Sequence, residues 1–118
     1  MRPFIPDIKT FTLTHKTLIR DAIARMDETA QGVLLVAGPD ERLVGTITDG
    51  DFRRGVMAGI NLLNPLAALL TLKSEPMRPI PITASADCPD STLLHMMVEL
   101  RLRHIPLLDE YGRAVDIA

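Results

Sequence analysis

The sequence predicts an α+β fold made of two tandem βαββ(α) repeats, packed as a pseudo-twofold pair with the second repeat truncated. Three observations point there. The order strand, helix, strand, turn, strand occurs twice along the 118 residues. Landmarks recur at a nearly constant separation: Met26 matches Leu100, Leu35 matches Leu107 and Arg42 matches Arg113, at offsets of 74, 72 and 71. The turn GPDER, opening at Gly38, has its counterpart in DEYGR, opening at Asp109. A tandem repeat of this length implies two copies of one unit that complete each other's core. The expected boundaries are 5–60 for the first repeat, 61–79 for a connector and 80–118 for the second, incomplete repeat.

Each element has a local reason. Met1 to Lys9 is punctuated by proline and reads as extended. Phe11 to Leu13 alternates as a short strand, and Thr14 to Lys16 is a polar turn. From Thr17 the period lengthens: Leu18, Ile19, Ala22, Ile23 and Met26 fall on one helical face, and Gly32 ends the unit. Val33 to Val36 is wholly apolar, as in a strand buried on both sides. The turn Gly38 to Glu41 then sends Leu43 to Thr48 back antiparallel to it. Asp49 to Ala58 reads as a helix closed by Gly59. In the connector, Pro65 starts a short helix over Leu66 to Leu70, and Pro76, Pro79 and Pro81 hold the chain extended. Ile80 to Thr83 is the next strand candidate. Asp87, Pro89 and Asp90 open a helix whose apolar stripe is Leu93, Met96, Met97 and Leu100. Ile105 to Leu108 is a strand, Asp109 to Arg113 a turn, and Ala114 to Ala118 the start of another strand. The first copy runs on into a helix where the second stops, so the sequence reads as a fragment lacking its second closing helix.

Composition narrows the function. Hydrophobic residues make up 47% and charged residues 24%, an ordinary globular balance. Aromatic residues are only 3%, so the core is expected to be aliphatic. A net charge of −2 lacks the basic surplus that nucleic-acid binding needs. The single cysteine, Cys88, rules out an internal disulfide, and three scattered histidines do not make a zinc site. The apolar runs are too short to span a bilayer and the N-terminus has no signal-peptide core, so the expected location is cytoplasmic, with no membrane partner.

The stretch that carries chemistry is Gly45 to Arg54, GTITDGDFRR, where a strand hands over to a helix. A helix N-terminus presents unpaired N–H groups and a partial positive charge, which suit an anion such as phosphate. Thr48 offers a hydroxyl at that end. Asp51, an acceptor only when ionised, suits a pair of ribose hydroxyls. Gly45 permits close approach of a ligand or a neighbouring backbone. The same Thr48-x-x-Asp51 spacing is also a variant capping box. The two readings are compatible, since a capped helix still presents its edge.

The paired units, the G-x-x-T-x-x-D string of Gly45, Thr48 and Asp51, and the Arg103-His104-Ile105-Pro106 string together resemble a cystathionine-β-synthase (CBS) domain pair, or Bateman module, over about residues 5 to 118. The resemblance implies two domains packed through their sheets, with clefts that bind adenine nucleotides such as AMP, ADP or ATP and regulate an attached enzyme or transporter. It implies that Thr48 and Asp51 hold the ribose and phosphate side of a ligand. Val33 and Leu34 would line the base pocket, and Arg103 and His104 would reach phosphate near the pair's axis. It further implies a homodimer. Departures stand out: the second copy has Asp116 where the first has Gly45, it ends before any second T-x-x-D, and Gly32 stands where the second copy has His104. TDGDFRR and the proline-containing connector resemble CBS pairs attached to sugar-phosphate nucleotidyltransferases or isomerases. The closeness of Met1 to the first strand favours the nucleotidyltransferase.

The remaining candidates read as structural. Arg53 and Arg54 could bind phosphate but better suit a solvated helix face, Met96 and Met97 suit core packing, and His95 and Glu99 form a surface pair without a third ligand. With no nucleophile–base set, glycine-rich phosphate loop or metal cluster, no catalytic residue is expected. Two functions remain: a regulatory nucleotide-binding module, or a dimerisation module that binds nothing.

Overall fold

A computed structural model describes residues 8–73 and 82–118. A short 3-10 helix, Ile8–Phe11, leads into β1 (Thr12–Thr14), α1 (Ile19–Thr29), β2 (Val33–Ala37), β3 (Leu43–Thr48), α2 (Asp49–Met57) and α3 (Leu66–Lys73). The second unit comprises β4 (Ala84–Ser85), α4 (Asp90–Leu100), β5 (Pro106–Leu108) and β6 (Ala114–Ile117). Two three-stranded sheets result, ordered β1-β2-β3 and β4-β5-β6. In each, the first strand lies parallel and the last antiparallel to the central strand. The expected α+β pair of repeats is the architecture observed.

The repeat is more regular than the sequence landmarks suggest. Leu13 pairs with Val36 as Ala84 pairs with Leu107, and Val36 with Gly45 as Leu107 with Asp116. The helices α1 and α4 keep the same spacing and both end on a left-handed residue, Ala30 and Arg101. One offset of 71 therefore relates the sheets and helices throughout, and the offsets of 74 and 72 are corrected. Met26 corresponds to Met97, Leu35 to Pro106, Gly32 to Arg103 and Val33 to His104. This explains why Leu100, expected in the core, is 48% exposed: it corresponds to Thr29 on the flank of α1. Leu93 is buried, and Leu18, Ile23 and Met97 are half-buried.

Other boundaries shift for local reasons. Phe11 belongs to the 3-10 helix, stabilised by the Thr12 hydroxyl donating to the Ile8 carbonyl at 2.8 Å, so β1 starts one residue later than expected. The helix expected from Thr17 begins at Ile19. Its first N–H groups are met by the loop before α3, Ile19 donating to the Asn64 carbonyl at 2.9 Å and Arg20 to that of Leu62 at 3.0 Å. Of the strand expected over Ile80 to Thr83, Ile80 and Pro81 lie outside the described residues and Ile82 and Thr83 are not in a strand; pairing begins at Ala84–Ser85, because the partner β5 is short and opens with Pro106, which has no N–H to pair. Pro76, Pro79 and Pro81, like Met1 to Asp7, lie outside the described residues.

Alternation along β2 places the core. Leu34 and Val36 point to the helices and pack with Ile19, Ala22, Met26, Phe52, Leu66 and Leu69. Val33 and Leu35 point the other way and join Phe11 and, from the second unit, Ile117. The strand is thus buried on both faces, as its unbroken apolar run implies, and each such side chain contributes about 1.5–3 kcal/mol. The hairpin turns also meet across the units. Leu43 donates to the Gly112 carbonyl at 2.9 Å, and Arg113 lies 3.9 Å from Glu41. Within the second turn the N–H groups of Arg113 and Tyr111 donate to Asp109, and these bonds lower its pKa, aided by the Arg113 side chain. No helix among the described residues is long and apolar enough to cross a membrane.

Candidate functional site

The site is built at the junction of β3 and α2. Thr48 is extended (φ −116°, ψ 169°), so its side chain turns back over the first helical turn. Its hydroxyl accepts from the Asp51 N–H at 3.3 Å, while Asp51 Oδ2 accepts from the Thr48 N–H at 2.9 Å and from the Thr48 hydroxyl at 3.1 Å. This is the reciprocal capping box that the spacing allowed. The other oxygen, Oδ1, accepts from Arg54 Nη2 at 2.7 Å. The Asp51 side chain is only 5% exposed, whereas that of Arg54 is 69% exposed. A buried carboxylate therefore stands at the helix start, with the Thr48 N–H, the Thr48 hydroxyl and the Arg54 guanidinium among its partners.

Around this junction β2 and the second unit converge. Val33 pairs with Thr48 in the sheet. Gly32, at φ +75°, needs the left-handed freedom of glycine, and the Asp49 carboxylate lies 3.7 Å from where a Cβ would project. The His104 ring of the second unit lies against the Gln31 backbone, just before Gly32. Burial of the His104 ring lowers its pKa, the neighbouring Gln31 backbone opposes that shift, and the adjacent Arg103 charge adds to it. Arg103 is exposed.

The predicted site residues therefore separate into groups. Thr48 and Asp51 are directly bonded, Val33 adjoins them through the sheet, and His104 approaches the same strand from the other unit. The Leu34 side chain points into the helix-side core and that of Val33 into the cluster between the units. Gly45 serves packing: a Cβ there would lie 2.6 Å from Leu70 Cδ2, so the close neighbour is a side chain of α3. Arg54, read from sequence as a solvated surface residue, is 69% exposed and also closes the Asp51 carboxylate. Its position three residues beyond an acidic residue was the available signal. Among the described residues no three His, Cys, Asp or Glu side chains are grouped to hold a metal ion.

Comparison with known proteins was consistent across sequence and structure. The family model for the CBS domain matches residues 3–58 and again 72–117. The arabinose 5-phosphate isomerase GutQ of Salmonella typhi is 29% identical over 97 residues, which cover 82% of this chain and 28% of that protein. The chain thus spans under a third of this relative. A CBS domain protein of Pyrobaculum aerophilum, solved complexed with AMP, superposes with a TM-score of 0.73 at 19% identity, covering 91% of this chain and 77% of that one. The CBS domain pair of protein MJ0100, solved with 5′-methylthioadenosine and S-adenosyl-L-methionine, superposes at 0.69 with 23% identity, covering 92% and 82%. At these identities the structural likeness shows a shared fold.

Proposed function

The chain belongs to the CBS domain family, as a tandem pair of such domains, and from that premise we propose that it is a regulatory module binding an adenine nucleotide or a related ligand on behalf of an attached enzyme. The observation that carries this reading is the Thr48–Asp51 junction, where a buried carboxylate, a hydroxyl and the first N–H groups of α2 share one helix start. The N–H groups and Thr48 suit phosphate, and Asp51 suits ribose hydroxyls. The complexes of related fold with AMP and with S-adenosyl-L-methionine support the ligand class. In this reading Val33 and Leu34 flank the base, Leu34 through its backbone, and Arg103 and His104 approach the phosphate from the second unit. AMP, ADP and ATP are the candidate ligands.

The module regulates and does not itself catalyse. Its attached partner is an enzyme of sugar-phosphate chemistry in the cytoplasm. We read that enzyme as a nucleotidyltransferase; the motif resembles those of CBS pairs on nucleotidyltransferases and on isomerases alike, and similarity to GutQ, an isomerase, supports the shared sugar-phosphate substrate class. Calorimetric titration with AMP, ADP, ATP and GTP tests the reading. Asp51→Ala is expected to weaken binding by roughly tenfold to a hundredfold, the effect of losing a charge-assisted hydrogen bond. Silence with every nucleotide sinks it.

A second reading has an observation of its own. On α4, Leu94 and Val98 are 64% and 69% exposed, which favours a homodimerising module that binds nothing. The same titration, set beside sedimentation, separates the two readings.

A further inference from the structure

The two oxygens of Asp51 do different work. Oδ2 is committed to the helix cap through Thr48, whereas Oδ1 is held by Arg54 at 2.7 Å. Arg54 reaches it by running back along α2. A Cβ on Gly50 would lie 3.0 Å and 3.3 Å from its terminal nitrogens, so the guanidinium lies over the first turn of the helix. That first turn also carries the backbone N–H groups that suit a phosphate. One end of the pair is fixed and buried. The other is a long, exposed side chain, able to pivot at little cost in packing.

We propose that Arg54 is an exchangeable guard on Asp51 that makes the site select phosphorylated ligands over nucleosides. The inference rests on the nucleotide-binding reading above. With Arg54 on Oδ1, a ribose hydroxyl has to compete with the guanidinium for that oxygen. When a nucleotide enters, a ribose hydroxyl takes Oδ1 and Arg54 turns to the ligand's phosphate, so one charge-assisted bond replaces another. A nucleoside must break the same pair and offers no anion in return. The geometry suits this exchange because carboxylate, guanidinium and helix N–H groups lie within one helical turn.

The test is calorimetric titration of the chain with AMP and with adenosine, for the parent, Arg54→Ala and Arg54→Gln. Urea denaturation verifies that each variant is folded, and the glutamine variant, shorter and uncharged, keeps the aliphatic stem and an amide donor should the alanine variant fail. The parent is expected to prefer AMP. In both variants adenosine should bind more tightly and AMP more weakly, so the preference falls on the order of tenfold. The salt dependence of AMP binding should flatten as well. A parent that binds AMP and adenosine equally, or an unchanged preference in a folded variant, overturns the exchange and leaves nucleotide binding standing. A parent silent with AMP, ADP and ATP overturns the nucleotide-binding reading and the exchange together.

Discussion

Replacing Asp51 by alanine and by asparagine measures how much of its carboxylate serves the fold. Alanine removes the acceptor for the half-buried Thr48 N–H, and an unsatisfied group of that kind costs about 1–3 kcal/mol. It also removes the Arg54 pair. Because Arg54 is mostly exposed, that pair contributes only about 0.2–1 kcal/mol. The expected total for Asp51→Ala is about 1–4 kcal/mol. Asparagine keeps a carbonyl for the Thr48 N–H and loses chiefly the charge facing Arg54, so about 0.5–1 kcal/mol is expected. For a chain of this length, 1 kcal/mol corresponds to a shift of about 4 °C in Tm. Thermal and urea denaturation followed by far-UV circular dichroism should therefore place the two variants several degrees apart. An Asp51–Arg54 double-mutant cycle should give a coupling of about 0.2–1 kcal/mol. Equal losses for the two variants would show that the cap geometry does not govern stability at this position.

Other outcomes follow from the same structure. Gly45→Val should cost about 1–3 kcal/mol by crowding Leu70, and most of that cost should vanish in a Leu70→Ala background; an equal cost in both backgrounds would return Gly45 to a ligand role. The His104 pKa is lowered in the folded chain, so the unfolded chain takes up its proton first. The stability tied to neutral His104 is therefore fully present above its ordinary value near 6.5 and is lost as pH falls through the folded value. Urea midpoints between neutral and mildly acidic pH should decline more for the parent than for His104→Gln, and parallel curves would argue against this contribution. Leu94→Glu with Val98→Glu should reduce self-association in sedimentation velocity without lowering the unfolding midpoint, because both side chains are already exposed. Unchanged sedimentation would place any self-contact elsewhere on the molecule.

Where one residue's neighbours in sequence supply its reason, the structure was legible beforehand. The apolar run Val33 to Val36 could only be a strand buried on both faces, and it lies between the helices and the second unit. The Thr48–Asp51 cap was readable because both partners lie within one turn. The hairpins, the helix opening near Asp49 and the two-unit architecture followed from period and turn chemistry. Other features depended on contacts between residues distant along the chain. The single offset of 71 emerged only from strand register, because Leu100 mimics a core position in sequence while Met97 occupies it in space. Gly45 faces Leu70 because α3, packed on α1 and α2, brings that side chain over it, and His104 lies against Gln31 because the two units meet at the starts of their central strands. Sequence by itself determined the elements and the cap, since these arise from hydrogen bonds and side-chain periodicity within a few residues. Tertiary packing decided which of two equivalent-looking side chains is buried and which neighbour a glycine admits, since those depend on volumes brought together only when the sheets and helices close.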